Sequence, residues 1–321
     1  MQTRSCLIVG AGIAGLTAAD TLRSAGWAVT VVDKGRSVGG RMATRRIDSS
    51  SFDHGAQFFT ARDERFKARV HAWEAAGIAQ NWHTSPAGEP RYRGVEGMSS
   101  IPKHLALGLD VHTSTRIAHI EPADNGWAAE DQSGNRFAAA FLILTPPPEQ
   151  SLALCEPFRP LLGRRLVQSL QGIHFDPCYA LMLLLDEPLQ LAPPGLEKLD
   201  DTDLLTISDN VQKGISEGPG ALTLHASSRF TIEHWDDEPG VVAKLLQESA
   251  ARFIKAPVRK WELHRWRYSH PVRGDESRFL SARCPAPLYF AGDAFGGPRV
   301  EGAYLSGLEA AEHLIASCDS L

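Results

Sequence analysis

The sequence predicts an α/β fold in which both ends of the chain build one mainly parallel sheet and the middle inserts an α+β domain on an antiparallel sheet. Three observations predict it. At the N-terminus, Ser5–Val9 reads as a short apolar strand, Gly12 to Ala25 carries Leu16, Ala19 and Leu22 at helical spacing, and Ala28–Val32 is a second continuous apolar run. Strand, helix and strand in that order form a βαβ unit, with strands buried on both faces. At the C-terminus, Leu288–Ala291 reads as a short buried strand, and a helix from about Glu301 sets Tyr304, Leu308, Ala311 and Ile315 on one face. Between the ends, Cys178–Leu185, Leu204–Ser208, Ala221–Ala226 and Trp261–Tyr268 resemble strands separated by turns, which suggests antiparallel pairing.

The remaining elements follow from the same patterns. Val111–Ile120 and Phe141–Leu144 read as later strands of the first half. Pro146–Pro148 break the chain, a helical stretch lies near Leu161–Leu170, and Val241–Ile254 reads as a helix. The expected division is a discontinuous domain of residues 1–70, 95–150 and 270–321, with 71–94 and 151–269 as the inserted domain.

Composition bounds the function. The 321 residues are 43% hydrophobic and 22% charged, as in an ordinary globular protein large enough for two cores. No run approaches the roughly 20 apolar residues of a membrane helix, so the expectation is a cytoplasmic protein with no membrane partner. A net charge of −5 argues against a nucleic-acid partner, though not against a local basic pocket. Cys6, Cys155, Cys178, Cys284 and Cys318 are scattered and form no C-x-x-C pair. They read as reduced thiols, with neither a metal site nor a disulfide framework.

Gly10-Ala11-Gly12-Ile13-Ala14-Gly15 is a G-x-G-x-x-G string between the first strand and the first helix. The first glycine permits the tight turn, the second lets backbone approach a pyrophosphate, and the third lets helix and strand pack closely. The helix N-terminus presents free N–H groups to the phosphates. Asp33 ends the second strand, 18 residues after Gly15, where a carboxylate accepts hydrogen bonds from a ribose. Together these read as a Rossmann-like dinucleotide site.

Further motifs select FAD over NAD. Gly39-Gly40-Arg41-Met42 follows the acid, and Arg41 offsets pyrophosphate charge. Asp53-His54-Gly55-Ala56-Gln57-Phe58-Phe59 comes next. Far along the chain, Ala291-Gly292-Asp293 ends a strand and Val300-Glu301-Gly302-Ala303 opens the last helix. FAD is long, so its two ends need contacts from distant segments, whereas a nicotinamide dehydrogenase needs no such C-terminal return.

On these motifs the chain resembles the flavin-containing amine oxidase superfamily. The resemblance implies that Gly40 and Arg41 line the pyrophosphate, that Gly292 and Asp293 meet the ribityl or phosphate region, and that Val300 to Ala303 aim a helix N-terminus at the flavin pyrimidine, where reduced flavin carries negative charge. It places a backbone contact to adenine at Ile117 and a strand end at Thr145. The candidate cofactor set also takes in Ala14, Lys34, Met42, Gly55, Ala56, Gln57, Phe58 and Arg299. In some members a cysteine near the C-terminal motif holds FAD covalently. Residues 293–299 contain none, so the expectation is non-covalent FAD.

Longer strings resemble the renalases, particularly bacterial ones: Gly55 to Asp63, Val95 to Ser99, His264 to Ser269 and Arg299 to Gly307. That resemblance implies oxidation of isomeric dihydro-NAD(P), with hydride passing to flavin N5 and dioxygen reoxidising the flavin to give hydrogen peroxide. The dihydronicotinamide nucleotide is the implied small-molecule substrate. Such a donor needs alignment and exclusion of competitors more than a base or metal, so no catalytic side chain is required beyond the flavin.

On the substrate side, His225 reads equally as a carboxamide partner or a satisfied sheet histidine. Trp266 and Tyr268, two residues apart on a strand, share a face that either stacks beside the flavin or packs in the core. Arg62 and Arg65 read chiefly as partners of neighbouring acids such as Asp63. The alternatives are a flavin amine oxidase, a desaturase acting on an apolar substrate, or an FAD-stabilised binding module without catalysis.

Overall fold

The computed structural model describes residues 4–124, 126–189, 191–199 and 203–319. Ser5–Val9 lies inside a six-stranded sheet, paired in parallel with Ala28–Val32 on one side and Phe141–Leu144 on the other. Asp110–His112 extends one edge, and Pro287–Phe290 with antiparallel Leu280–Arg283 completes the other. Residues alternate between two cores, as a pleated strand buried on both faces requires. Cys6 and Ile8 join the helices Ile13–Ser24 and Arg299–Asp319 on one face, through Leu16, Leu22, Leu305 and Leu314. Leu7 and Val9 face Trp127, Leu152, Phe158 and Leu170 on the other. The connections leave Ser5–Val9 in opposite directions across the sheet, so the Gly10–Gly12 loop sits at the switch point where such sheets bind ligands.

The expected single strand Val111–Ile120 is two strands in two sheets. Ser114 takes a left-handed φ of +53°. Beyond it, Ile117–Ala123 joins Gly126–Asp131 and Arg136–Ala139 in a three-stranded antiparallel sheet. One apolar run thus hides a corner, because both pieces are short and strand-like. The helix expected over Val241–Ile254 stops earlier, at Pro239–Ser249.

The middle of the chain forms a five-stranded antiparallel sheet. Its order is Leu196–Lys198, Leu204–Asp209, Gly220–Ala226, His174–Leu185 and Val258–Arg273. Helices Ser228–Glu233 and Pro239–Ser249 cover one face, against Tyr179, Leu181, Leu183, Leu222 and Leu224. On the opposite face, Met182, Leu184 and Ala221 pack on Ile47 and Phe52 of the hairpin Thr44–Ile47/Ser50–Asp53. That packing seats Asp53 and His54 against the sheet. Among the described residues, no helix is long and apolar enough to cross a membrane.

Candidate cofactor and active site

A cleft of about 2180 Å³ runs between the fingerprint loop and the antiparallel sheet. Gly12 stands at the N-cap of Ile13–Ser24 and has no side chain, so the first N–H groups of this helix receive no side-chain cap from it. Gly12 is bridged to Gly39, whose N–H donates to the Ala11 carbonyl at 2.8 Å. Asp33 accepts from Ala11 N of this loop through Oδ2 and from Gly35 N, just beyond its own strand, through Oδ1, at 2.6 Å each. Lys34 Nζ donates to Gln150 Oε1 at 2.9 Å.

Arg41 and Asp293 come from opposite ends of the sequence and pair bidentately at 2.6 and 2.7 Å inside the cleft. Arg41 also donates to the Ser269 carbonyl at 3.2 Å. The two charges expected to face the cofactor separately therefore answer each other. They present an oriented fork and not a lone cation.

At the sheet end, four side chains from three segments meet. His54 stacks on Trp266 with centroids 5.3 Å apart and 22° between planes, and His264 stands edge-on to His54 at 4.9 Å. The His54 carbonyl accepts from Trp266 Nε1 at 2.7 Å and from His225 Nε2 at 3.2 Å. Since a carbonyl only accepts, His225 carries its proton on Nε2, and its Nδ1 accepts from Thr206 Oγ1 at 3.1 Å. His225 is thus a satisfied sheet histidine that also lines the cleft.

Burial pushes all three imidazoles below the ordinary 6.5. His54 falls to about 3, helped by the charges of His264 and Arg45. His264 falls to about 4 beside Arg45, and His225 to about 4 despite its bond to the His54 carbonyl. The cluster is neutral near pH 7.

Behind it lies a pair with no sequence signal. Lys213 Nζ meets Asp53 Oδ2 at 2.6 Å, and both side chains are 0% exposed. The other Asp53 oxygen accepts from Thr44 Oγ1 at 2.5 Å and Met98 N at 2.9 Å. Burial pulls the Lys213 ammonium below its usual value, and the adjacent carboxylate opposes that shift. Lys213 sits in a polar stretch that reads as surface, so nothing in the sequence marks it.

Of the expected cofactor residues, all but Gly15 and Gln57 line the cleft. Gly15 packs against the Gly10 carbonyl, as the third fingerprint glycine should. Gln57 is set back from the cleft. Its amide donates to the Asp53 and Gly55 carbonyls at 2.6 and 3.2 Å and its oxygen faces Lys213, so it braces the loop from behind. Glu301 lines the cleft, but its Oε1 accepts from the N–H groups of Arg62 and Asp63 at 2.6 and 2.8 Å. Arg62 pairs with Glu89, and Arg65 with Asp63 and Glu309. Trp266 and Tyr268 both line the cleft, Tyr268 standing edge-on to Phe175 at 5.9 Å. His54 and His264 are the residues that sequence reasoning undervalued.

Residues 8–73 match a profile for an NAD(P)-binding Rossmann-like domain, and residues 71–315 match the flavin containing amine oxidoreductase family. The chain belongs to the flavin-containing amine oxidoreductase family. Its cofactor is FAD. Curated proteins similar to this flavoprotein include a hydroxyneurosporene desaturase from Rubrivivax gelatinosus, 44% identical over 19% of this chain and 12% of that protein. A coproporphyrinogen III oxidase from Mycobacterium leprae (strain TN) is 30% identical over 37% of this chain and 26% of its own length. The matched regions thus span well under half of these relatives. Among solved structures, a proposed protoporphyrinogen oxidase from Exiguobacterium sp. 255-15 superposes with a TM-score of 0.75 at 13% identity, covering 99% and 100% of the two chains. A putrescine oxidase variant gives 0.72 at 16% identity over 98% and 99%. At such identities the likeness concerns the fold.

The flavoprotein's own residues fit FAD. A Cβ built on Gly12 meets nothing within 4 Å, and one on Gly40 approaches only the Gly12 Cα, at 3.6 Å. Both glycines leave an open cradle where a dinucleotide's phosphates belong.

Proposed function

We propose that this flavoprotein is an oxidase that takes hydride from isomeric dihydro-NAD(P) and passes the electrons to dioxygen, giving hydrogen peroxide. The observation that carries this reading is the charge of the cleft. Among the described lining residues, thirteen are Lys or Arg and six are Asp or Glu, in a chain of net charge −5. Such a cleft concentrates field on a nucleotide pyrophosphate and opposes a cationic amine. Trp266, His54 and His264 add aromatic faces without charge.

FAD, when bound, supplies the hydride acceptor. Gly10, Gly12, Gly40 and the N-terminus of Ile13–Ser24 would hold its pyrophosphate, with the Arg41–Asp293 fork beside them and the start of Arg299–Asp319 at its far end. Trp266 and His225 hold the His54 peptide still through its carbonyl. A dihydronicotinamide is already a hydride donor, so the side chains align it and exclude water rather than remove a proton.

We infer that FAD is held non-covalently. Residues 293–299 lack cysteine, and Cys178, which lines the cleft, is pushed up to about 12 by burial and stays a protonated, poor nucleophile. The packing of Leu152, Cys155, Phe158 and Leu162 beneath the parallel sheet supports assigning residues 148–171 to the FAD domain and starting the substrate domain near 172.

Family membership supports a second reading, in which an amine or an apolar substrate reduces the flavin. Anaerobic stopped-flow absorbance at the oxidised-flavin band decides between them. Isomeric dihydronicotinamides should bleach the flavin far faster than NADH or any of a panel of amines. Fastest reduction by a primary amine would leave the dihydronicotinamide reading without support.

A further inference from the structure

The hairpin Ala79–Thr84/Pro90–Gly94 closes over the segment that follows His54. Phe59 and Tyr92 exchange both backbone hydrogen bonds, at 2.9 and 2.8 Å, so the two segments form an antiparallel bridge. Residues on either side of such a bridge alternate between its faces. Tyr92 therefore stacks on Phe59 in the core, with centroids 5.6 Å apart and 25° between planes. Arg91 lands over Phe58, its guanidinium carbon 4.6 Å from the ring centroid. Both Phe58 and Arg91 line the cleft.

Arg62 pairs with Glu89, Arg45 with Glu262 and Arg41 with Asp293. Like Arg36, Arg46, Arg116, Lys198, Arg267 and Arg299 of the cleft, Arg91 has no carboxylate partner within 4.0 Å among the described residues. It differs from them in being seated over an aromatic ring that itself lines the cleft. A guanidinium seated over an aromatic face still offers the in-plane N–H groups of its edge to a bidentate acceptor. The cofactor's own pyrophosphate has the fingerprint loop and Gly40, which belong to other segments. Arg91 is held on the cleft wall by the register of a two-stranded bridge, with no carboxylate among the described residues to answer its charge.

We propose that Arg91 is the subsite for the phosphate groups of the reducing substrate. The inference rests on the reading of that substrate as a dihydronicotinamide nucleotide. It deepens that reading by separating two functions: the aromatic cluster around Trp266 takes the ring, and Arg91 takes the pyrophosphate.

The test compares FAD-loaded wild type, Arg91→Gln and Arg91→Lys with two donors, an isomeric dihydro-NAD and the matching dihydronicotinamide riboside, which lacks phosphate. Arg91→Gln should lower kcat/KM for the nucleotide by about ten- to a hundredfold more than for the riboside, as loss of a charge-assisted fork implies. Arg91→Lys, which keeps the charge and loses the fork, should fall between. Inorganic pyrophosphate, titrated against the oxidised-flavin band, should bind wild type about tenfold or more tightly than Arg91→Gln. Equal losses with both donors, or equal pyrophosphate affinity in wild type and variant, would overturn the subsite. If no dihydronicotinamide reduces the wild-type flavin, the substrate reading fails. The pyrophosphate titration then decides on Arg91 by itself.

Discussion

The two ends of the cleft are made differently. At the fingerprint end the chain presents backbone: Gly10, Gly12, Gly39 and Gly40, with the N-terminus of Ile13–Ser24. At the sheet end it presents side chains gathered from the Thr44–Asp53 hairpin and the strands Gly220–Ala226 and Val258–Arg273. A backbone cradle depends on the left-handed φ of Gly10, Gly39 and Gly40 and on the missing side chain of Gly12, so it leaves a contiguous signature. A side-chain cluster depends on packing between distant segments, so each residue looks ordinary in its own neighbourhood.

Two glycines break this comparison most sharply if it is wrong. A Cβ at Gly12 opens into empty space, whereas one at Gly15 collides with the Gly10 carbonyl. Gly12→Val should therefore cost the apoprotein no more than about 1 kcal/mol, the loss of a favourable N-cap residue, while lowering FAD affinity at least about 100-fold, or about 2.7 kcal/mol. Gly15→Val should destabilise the protein itself by roughly 3 kcal/mol or more. Urea midpoints of the apoproteins and FAD titration by fluorescence separate the two effects. Wild-type FAD occupancy in Gly12→Val would remove the fingerprint from the site.

At the sheet end the next largest effect belongs to Lys213. Removing one member of a buried ion pair leaves an uncompensated charge, at a cost of about 3–5 kcal/mol. Lys213→Met should fall in that range by urea denaturation. Adding Asp53→Asn to Lys213→Met should recover more than half of the loss, because the new amide oxygen can still accept from Thr44 and the Met98 N–H while the unpaired charge is gone. A double variant as unstable as the single one would show that the pair holds nothing beyond its own packing.

Legibility follows from the same contrast. The βαβ unit, the Gly39–Met42 string and the C-terminal return to Gly292 and Asp293 could be read because each needs particular residue types at fixed spacing. The mutual pairing of Arg41 and Asp293 could not, since each alone reads as a cofactor contact. The corner at Ser114 escaped because two short strands in series have the pattern of one. The hairpin Ala79–Thr84/Pro90–Gly94 carries the turn signal Ser85-Pro86-Ala87-Gly88, but its flanking residues show no apolar alternation, so its strands and with them Arg91 have no signature in the sequence. His54 reads in the sequence only as part of the Asp53–Phe59 string, because its meaning lies in Trp266 and His264, more than 200 residues away.

The histidines also set a pH dependence that the backbone end lacks. Their folded pKa values lie below the ordinary 6.5, at about 3 for His54 and about 4 for His225 and His264. As the pH falls below 6.5 the unfolded chain takes up protons first, so stability is full above that value and declines as the pH drops toward 4. The decline reaches at most about 1.4 kcal/mol per pH unit for each ring. His264→Gln should have a shallower acid limb than wild type, by up to about 1 kcal/mol per pH unit between pH 6 and 4.5. Parallel curves from chemical denaturation at each pH would mean that His264 titrates normally.

The smallest effect sharpens the boundary between the two ends. Glu301 lies in the helix start that the motifs assign to the flavin, yet its carboxylate oxygen accepts from both the Arg62 and Asp63 N–H groups. Asp63 in turn caps the helix Glu64–Ala75 by accepting from Arg65 N at 2.9 Å. Glu301 thus ties the entrance of one helix to the entrance of another, and the helix backbone, not this side chain, is left for the cofactor. Glu301→Gln keeps an acceptor oxygen and loses only the charge assistance. That should cost about 0.5–1.5 kcal/mol of stability and change FAD affinity by no more than about threefold, or roughly 0.7 kcal/mol. Thermal unfolding and FAD titration of the same sample read both quantities. If FAD affinity falls about 100-fold, or about 2.7 kcal/mol, while the melting temperature stays put, the Glu301 carboxylate belongs to the flavin and the backbone end of the cleft extends further than its geometry indicates.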